Sequence, residues 1–439
     1  MTTPPEGKLL KMDGWPGGVN NRMRETEQSA LRNNVPIPSS EFLRRALNVD
    51  LTAEGHPIRR KGYTQHTPGY AHSLFSCEAL GVFCAVIDGQ LLAGRDPDSL
   101  QVMADVNKYT PVSYAVLNDV IYYSNGQILG EITYALEHRP WGIPTGPTPT
   151  VAGPAAENPG GWTDTRQVAV TYVDYYGREG GASEPILVGA DGSFTVAIQV
   201  PLPTDVEEAR IYMSEPNSEI LYHIETVLTA PLVTIFPPTV SKGKELDTLN
   251  LHPPQPGQLV RAYNGRVYIA RNDTVTFTEP LRFHLMRPSQ GLYMFPDYVT
   301  LLEPADGGVY IGTKHGVVFL AGDDPYNVEQ RFVSPYAPVE GASSLMPGDK
   351  FGLPSTDLVP IWWGVDGVLV VGLPGGELKQ LTRDRLAVPG FGSGAVSLRE
   401  YEGMSHIVSA LQSSKGLNPM GASDTVVATV RRNNIVLNS

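Results

Sequence analysis

Leu259-Val260-Arg261-Ala262-Tyr263-Asn264-Gly265-Arg266-Val267-Tyr268-Ile269-Ala270 decides the fold. Two short apolar-rich runs meet there at an Asn-Gly corner. A type I′ turn needs positive φ at both corner residues, which Asn and Gly accept, so the stretch predicts a two-residue β-hairpin. The same arrangement recurs on either side. Runs 82–87 and 90–93 flank Asp88-Gly89, and runs 114–117 and 120–123 flank Asn118-Asp119. Downstream, 299–302 and 309–312 flank Asp306-Gly307, with a third run at 316–320. Runs 360–364 and 368–371 flank Asp366-Gly367, with 377–381 following. A further unit is read at 395–411, with a closing strand at 425–430. Loose repetition of a three- or four-stranded antiparallel unit predicts an all-β, antiparallel β-propeller of about six blades, because a ring of blades removes sheet edges. Run 43–51 reads as a strand and 56–63 as its return, and this end of the chain is expected to meet 425–430 in closing the ring.

The spacing from 118 to 264 breaks the pattern. Between the two corners lie Pro-rich borders, with Pro140, Pro144, Pro147, Pro149 and Pro154 on one side and Pro237, Pro238, Pro253, Pro254 and Pro256 on the other. Proline clusters read as linkers. Inside them Val168, Val170 and Tyr172 alternate, as do Phe194, Val196, Ile198 and Val200, and then Ala209, Ile211 and Met213. Short alternating strands between turn signals predict a small β-sandwich. The expected organisation is 1–148 as the first part of the propeller, 149–240 as an inserted β-sandwich, and 241–439 as the second part, closing with the N-terminal strands.

The chain has 439 residues, ample for a buried core. Gly 45 and Pro 38 mark a turn-rich chain without reaching low complexity. Lys and Arg total 33 against 46 Asp and Glu, a net charge of −13, so the chain lacks the basic footprint of a nucleic-acid reader or a polybasic membrane binder. The 2 cysteines, Cys77 and Cys84, exclude a disulfide scaffold and cannot complete a zinc site, and they read as small buried hydrophobes. No signal peptide or bilayer-length apolar stretch is read, and cytoplasmic synthesis is expected.

Motifs that carry chemistry are few. The 9 histidines show no metal spacing, and no metal or cofactor is expected. Gly390-Phe391-Gly392-Ser393-Gly394 lacks the Gly-Lys-Ser/Thr ending of a phosphate loop and reads as a flexible loop. Arg59, Arg60 and Lys61 form the densest basic run, read either as a charged strand edge that blocks pairing or as a contact to DNA or to a neighbouring subunit. Trp362-Trp363 on a strand must point to opposite faces, one toward the blade stack and the other toward a second partner, either an adjoining blade or another subunit. Segment 332–351 reads as an unusually long turn-rich connection.

The opening Gly17-Gly18-Val19-Asn20-Asn21-Arg22, the run Leu43-Arg44-Arg45-Ala46-Leu47-Asn48-Val49-Asp50, then Gly55 and Arg59-Arg60-Lys61-Gly62-Tyr63, resemble the start of tail nozzle proteins of short-tailed bacteriophages, also called packaged-DNA stabilisation proteins. Val170-Thr171-Tyr172-Val173-Asp174-Tyr175-Tyr176-Gly177, Ser183-Glu184-Pro185 and Ala209-Arg210-Ile211-Tyr212-Met213-Ser214 resemble a fibronectin type III module. The resemblance implies a non-enzymatic virion protein assembled in the host cytoplasm. It implies a homo-oligomeric ring, hexameric, beneath an adaptor ring and beside tail fibres or tailspikes. Viral DNA would pass through without sequence-specific binding, and there would be no membrane anchor. The alternative reading is a tail-associated carbohydrate-active or carbohydrate-binding propeller, which as a hydrolase would need two positioned carboxylates that the sequence does not place.

Overall fold

The computed structural model describes residues 15, 18–20, 22, 31–32, 35–36, 42–43, 49–52, 56–59, 67–152, 165–189, 194–198, 202–229, 232–235, 242–386, 391–401, 404–413, 424–431 and 434–438. The fold is all-β, of the antiparallel propeller class with a β-sandwich inserted between repeats. Chain contacts gather into two compact units, Gly69–Met294 and Met1–Pro68 with Phe295–Ser439.

The unit Gly69–Met294 holds three antiparallel meanders and the sandwich. Meander I runs Ala71–Cys77, Val82–Ile87, Gln90–Gly94 and Gln101–Asp105; meander II runs Ser113–Leu117, Val120–Ser124, Leu129–Thr133 and His138–Arg139. Meander III runs Leu259–Tyr263, Arg266–Arg271, Thr274–Glu279 and Arg282–Met286, with Leu292–Met294 also pairing its third strand. The predicted hairpins stand in register. Ile87 pairs Gln90, Leu117 pairs Val120 and Tyr263 pairs Arg266, each across a two-residue corner with positive φ at both positions.

Strand alternation explains why the runs look apolar on both sides. On meander II, Tyr114, Ile121, Tyr123 and Ile132 join the core of meander I with Cys84, Val86 and Leu91. Its other face carries Ala115 and Tyr122, which pack with Val260, Val267, Ile269 and Phe283 of meander III. A sheet covered on both faces hides both sets of alternating side chains, and each fully buried large aliphatic or aromatic contributes about 1.5–3 kcal/mol. Hydroxyls stitch the layers together. Ser113 Oγ accepts from Val260 N at 3.0 Å, and Ser124 Oγ donates to Gly257 O at 2.7 Å.

The sandwich lies between meanders II and III in the chain. One sheet orders Ile186–Gly189, Thr165–Asp174, Val206–Ser214 and Leu221–Val227; the other pairs Thr150–Ala152, Phe194–Ala197 and Leu232–Ile235. Val168, Val170, Tyr172, Val196, Ile198, Ala209 and Ile211 share one core, so the alternation read in the sequence is the inward face.

In the second unit, meander IV runs Val299–Ala305, Gly308–Thr313, Gly316–Ala321 and Glu329–Ser334. Meander V runs Pro338–Pro347, Leu358–Gly364, Leu369–Gly372 and Leu378–Gln380, and its first strand meets Phe391–Tyr401 in one parallel bridge. From there Met404–Ser413, Asp424–Arg431 and Asn434–Asn438 extend a four-stranded antiparallel set. Gly18–Val19 pairs Phe42–Leu43, Val49–Leu51 pairs Pro57–Arg59, and Gly18–Val19 and Val49–Leu51 lie alongside Asn434–Asn438. Val19 is buried in a core with Val339, Leu386, Ile407 and Leu411. The N-terminal strands therefore lie against Asn434–Asn438 rather than meeting 425–430, which is paired on both edges by Met404–Ser413 and Asn434–Asn438, and among the described residues each set of strands pairs within itself.

Four further sequence expectations change. Segment 332–351 is no loop, because Glu329–Ser334 and Pro338–Pro347 are strands, with Pro338 at a strand start where no ladder donor is needed. The glycine-rich segment at 390–394 enters the long strand Phe391–Tyr401, and Gly390 lies outside the described residues. At Asp366-Gly367 positive φ falls on the glycine (74°); Gly367 N donates to Gly364 O and Gly364 N to Val368 O, a turn closed by a left-handed glycine rather than a type I′ corner. The described parts of the proline-rich borders are packed rather than solvated linkers, since Trp141, Ile143 and Leu251 are buried.

Candidate functional site

Of the sequence-predicted residues Arg59, Arg60 and Lys61, the structure describes Arg59. Arg59 ends the strand Pro57–Arg59 with its side chain exposed, and Arg60 and Lys61 lie outside the described residues. Cys77 and Cys84 are free and buried in the core of meander I, where burial, reinforced by Cys77, pushes the Cys84 thiol up to about 12. No group of three or more potential metal-ligating side chains occurs among the described residues.

The charged side chains that do converge sit where the sandwich meets meanders II and III. Strand Thr165–Asp174 ends in a turn whose Gly177 takes φ 75°. The Asp174 carboxylate organises it, accepting from Tyr176 N at 3.0 Å and Arg178 N at 2.8 Å. That turn aims the Arg178 guanidinium out of the sandwich. Its Nε donates to Asp174 Oδ2 at 2.8 Å, its Nη1 to Glu131 Oε1 at 2.7 Å on meander II, and its Nη2 to Pro140 O at 3.1 Å. Glu131 is only 4 % exposed. Burial pushes its carboxyl above the ordinary value, and Arg178 pulls against that shift. Burial also opposes the charge on Arg178, but Glu131 and Asp174 outweigh it and hold the guanidinium above its usual value.

Glu179 forms the next layer. It accepts from Thr171 Oγ1 at 2.7 Å, Tyr212 OH at 2.6 Å and Arg210 Nη1 at 3.3 Å. Its carbonyl accepts from His284 Nε2 of meander III at 3.0 Å, which places the imidazole proton on Nε2. Burial, the largest cause, lowers the His284 pKa to about 4. Beyond it, Asp247 accepts from Arg282 Nη2 at 2.5 Å and pairs with Lys244 at 3.0 Å. Burial opposes the Asp247 charge, yet these two cations hold its carboxyl below the usual range. Arg139 stacks 3.9 Å over the Tyr176 ring.

Two shallow clefts flank Arg178, of about 250 Å³ beside Arg210, Asp247 and His284 and about 330 Å³ beside His138, Tyr175 and Asp205. The cations of the first cleft face carboxylates already: Arg178 faces Glu131 and Asp174, Arg210 faces Glu179 and Glu208, and Arg282 and Lys244 face Asp247. Chemically, this arrangement holds two folded elements in register. The sequence reading passed over Arg178, Glu131 and His284. The one available signal was a glutamate inside an otherwise apolar strand, Leu129–Thr133.

The backbones also approach closely here. Gly146 N donates to Gly181 O at 3.0 Å, and a Cβ on Gly181 would lie 1.8 Å from Leu251 O. Gly181→Ala is expected to lower the unfolding temperature clearly, because backbone rather than a movable side chain blocks the methyl. An unchanged melting curve by calorimetry would contradict this packing.

The His284 shift has a pH signature. A histidine kept neutral in the folded chain, with a pKa of about 4 against 6.5 unfolded, contributes stability above pH 6.5 that is lost as the pH falls from 6.5 towards 4. The full loss is about 3 kcal/mol. His284→Gln keeps a donor for the Glu179 carbonyl and should flatten stability over that window. Denaturant unfolding at pH 7, 6, 5 and 4.5 checks it, and parallel curves for the two proteins would contradict it.

No family matches the chain, and no curated protein matches it. Among solved structures it is similar to BBS1N in complex with ARL6DN (TM-score 0.34, 11% identity, 84% of this chain and 96% of that one). It is also similar to the Pan2 WD40 domain of Neurospora crassa (TM-score 0.34, 10% identity, 84% and 92%). A third is YCF48 bound to D1 peptide (TM-score 0.27, 11% identity, 75% and 85%).

Proposed function

We propose that this chain is a structural, non-enzymatic virion protein, a subunit of the nozzle ring that ends a short phage tail. Copies would form a hexameric ring beneath an adaptor ring, next to tail fibres or tailspikes, with viral DNA passing through the bore. The observation that carries the reading is the junction around Arg178. Charged groups that could serve a ligand are bound to one another, and their effect is to fix the sandwich on the meanders. A subunit that must hold its shape in an assembly is served by such a junction. The resemblance of the opening segment supplies the particular assembly.

The net charge of −13 bears on how such a ring handles DNA. A bore of the same sign as phosphate does not grip the duplex, so retention of the genome would be steric. Arg59, Arg60 and Lys61 would then serve protein contacts. Antibody labelling of virions under negative stain is expected to mark the distal tail tip, and particles without label would overturn the assignment. A mobility-shift titration with linear duplex at two salt concentrations is expected to show no binding near physiological salt. Tight, salt-steep binding lost in an Arg59→Glu, Arg60→Glu double variant would replace the passive channel with a DNA clamp. Depolymerase activity on a polysaccharide would favour the carbohydrate-active alternative.

A further inference from the structure

Ser73 takes φ 52°, in the left-handed region that few residues other than Gly, Asn, Asp and His occupy. It lies where strand Ala71–Cys77 bulges. His72 pairs Val86 and Phe75 pairs Cys84, so Ser73 and Leu74 together face the single residue Ala85. The left-handed position of such a bulge is ordinarily glycine, because a Cβ there is strained. Adjacent residues of a regular strand point to opposite faces, and here the bulge re-aims the serine so that it meets its own neighbour. Ser73 Oγ lies 2.8 Å from His72 Nδ1.

The other ring nitrogen fixes the direction of that bond. His72 Nε2 lies 2.9 Å from Lys108 O, and a carbonyl oxygen only accepts, so Nε2 carries the proton. In the neutral imidazole Nδ1 is then bare and accepts from Ser73 Oγ. Val112 N donates to the same oxygen at 2.8 Å and holds it in place. A hydroxyl that donates to a histidine nitrogen, with the far nitrogen held by an acceptor, is the arrangement that activates a serine nucleophile. Backbone strain at the nucleophile belongs to the same pattern. Ser73 and His72 both keep part of their surface in water. Around them the surface is apolar and aromatic. The Tyr70 ring lies 5.7 Å from the His72 ring and 5.8 Å from the Tyr109 ring, and Leu74 and Tyr109 are 78% and 74% exposed.

We propose that Ser73 is an activated nucleophile, with His72 as its general base, and that it accepts the acyl group of an activated apolar or aryl ester. Ser73 Oγ attacks the ester carbonyl carbon while its proton passes to His72 Nδ1, and the imidazolium stays bonded to Lys108 O. The bond from that carbon to the leaving oxygen then breaks, and the leaving oxygen takes the proton from Nδ1. The products are a Ser73 ester and a free alcohol or phenol. The reaction ends at one ester per chain, so it stands beside the structural role and does not depend on it.

A fluorophosphonate probe tests the assignment, since an activated serine oxygen displaces its fluoride. Folded wild-type protein is expected to gain one phosphonyl group, mapped to Ser73 by peptide mass spectrometry. Ser73→Ala and wild-type protein unfolded in urea are expected to stay unlabelled. His72→Gln keeps a donor for the Lys108 carbonyl but supplies no base, and its labelling is expected to slow on the order of a hundredfold with its melting curve held. With 4-nitrophenyl acetate, wild-type protein is expected to release a burst of one nitrophenol per chain, absent in Ser73→Ala. Folded wild-type protein left unlabelled at Ser73, or labelled no faster than the unfolded chain, would overturn the proposal. Labelling of folded His72→Gln at the wild-type rate would overturn it too, by removing the base.

Discussion

Arg178→Met is expected to be the most damaging single change in the unit Gly69–Met294. Removing one member of a buried ion pair leaves the other charged and desolvated, at a typical cost of about 3–5 kcal/mol. The stranded group is Glu131, whose side chain is only 5% exposed. Asp174 suffers less, since it still accepts from the backbone of Tyr176 and residue 178. For a unit of this size the loss corresponds to a fall in melting temperature on the order of 10 °C. A second substitution supplies the discriminating measurement. Glu131→Gln in the Arg178→Met background removes the stranded charge and should return a large part of the lost stability, although each single change is harmful. A double-mutant cycle with additive costs would show that the two groups do not act on one another. The same logic bears on removing 149–240. Excising the sandwich also uncovers Leu246 and Leu249, which pack against Ala169, Ala182, Tyr212 and Leu221 of the removed segment. The meanders are therefore expected to survive that deletion only with a marked loss of stability, and better when Glu131 is replaced as well. Refolding without that loss would mean the sandwich is a tethered module.

The second large effect is expected at Trp362-Trp363. The two rings leave strand Leu358–Gly364 on opposite faces and enter different cores. Trp362 stands 5.3 Å from Tyr310 of meander IV, and Trp363 donates from Nε1 to Ser409 Oγ at 2.8 Å. Replacing either by Ala should cost about 3–5 kcal/mol through lost burial and the cavity left behind. The partners should then tell the faces apart. Trp362→Ala is expected to couple with Tyr310→Ala. Trp363→Phe, which keeps most of the ring but orphans Ser409, should cost about 1 kcal/mol. Chemical denaturation of the four single variants and the Trp362→Ala, Tyr310→Ala double variant reads both effects. Equal costs for Trp363→Phe and Trp363→Ala would place the energy in the hydrogen bond rather than in packing.

Local order was legible in the sequence because its causes are local. Asn264-Gly265 makes a hairpin wherever it lies, since the turn depends on two φ angles and not on distant partners. The alternation of Val168, Val170 and Tyr172 likewise required only that one face of a strand be covered. The adjacent tryptophans had to diverge because strand side chains alternate. From these alone came the all-β class, the repeat and the sandwich. Tertiary structure decided what covers each face and which charges meet. Glu131, Arg178 and His284 lie far apart in the chain, and nothing in their neighbours' identities signals that a turn at Gly177 carries one guanidinium to both a carboxylate of meander II and the Pro140 carbonyl just after it. Pro-rich borders read as linkers because proline limits hydrogen bonding, yet Trp141 and Ile143 between those prolines are buried, and burial depends on surfaces brought from elsewhere. Segment 332–351 became strands for the same reason: Val339 and Met346 are buried in a core formed with Ile407 and Leu411. Turn chemistry is set within a few residues of chain, whereas packing and ion pairing are set by which surfaces the folded chain brings together.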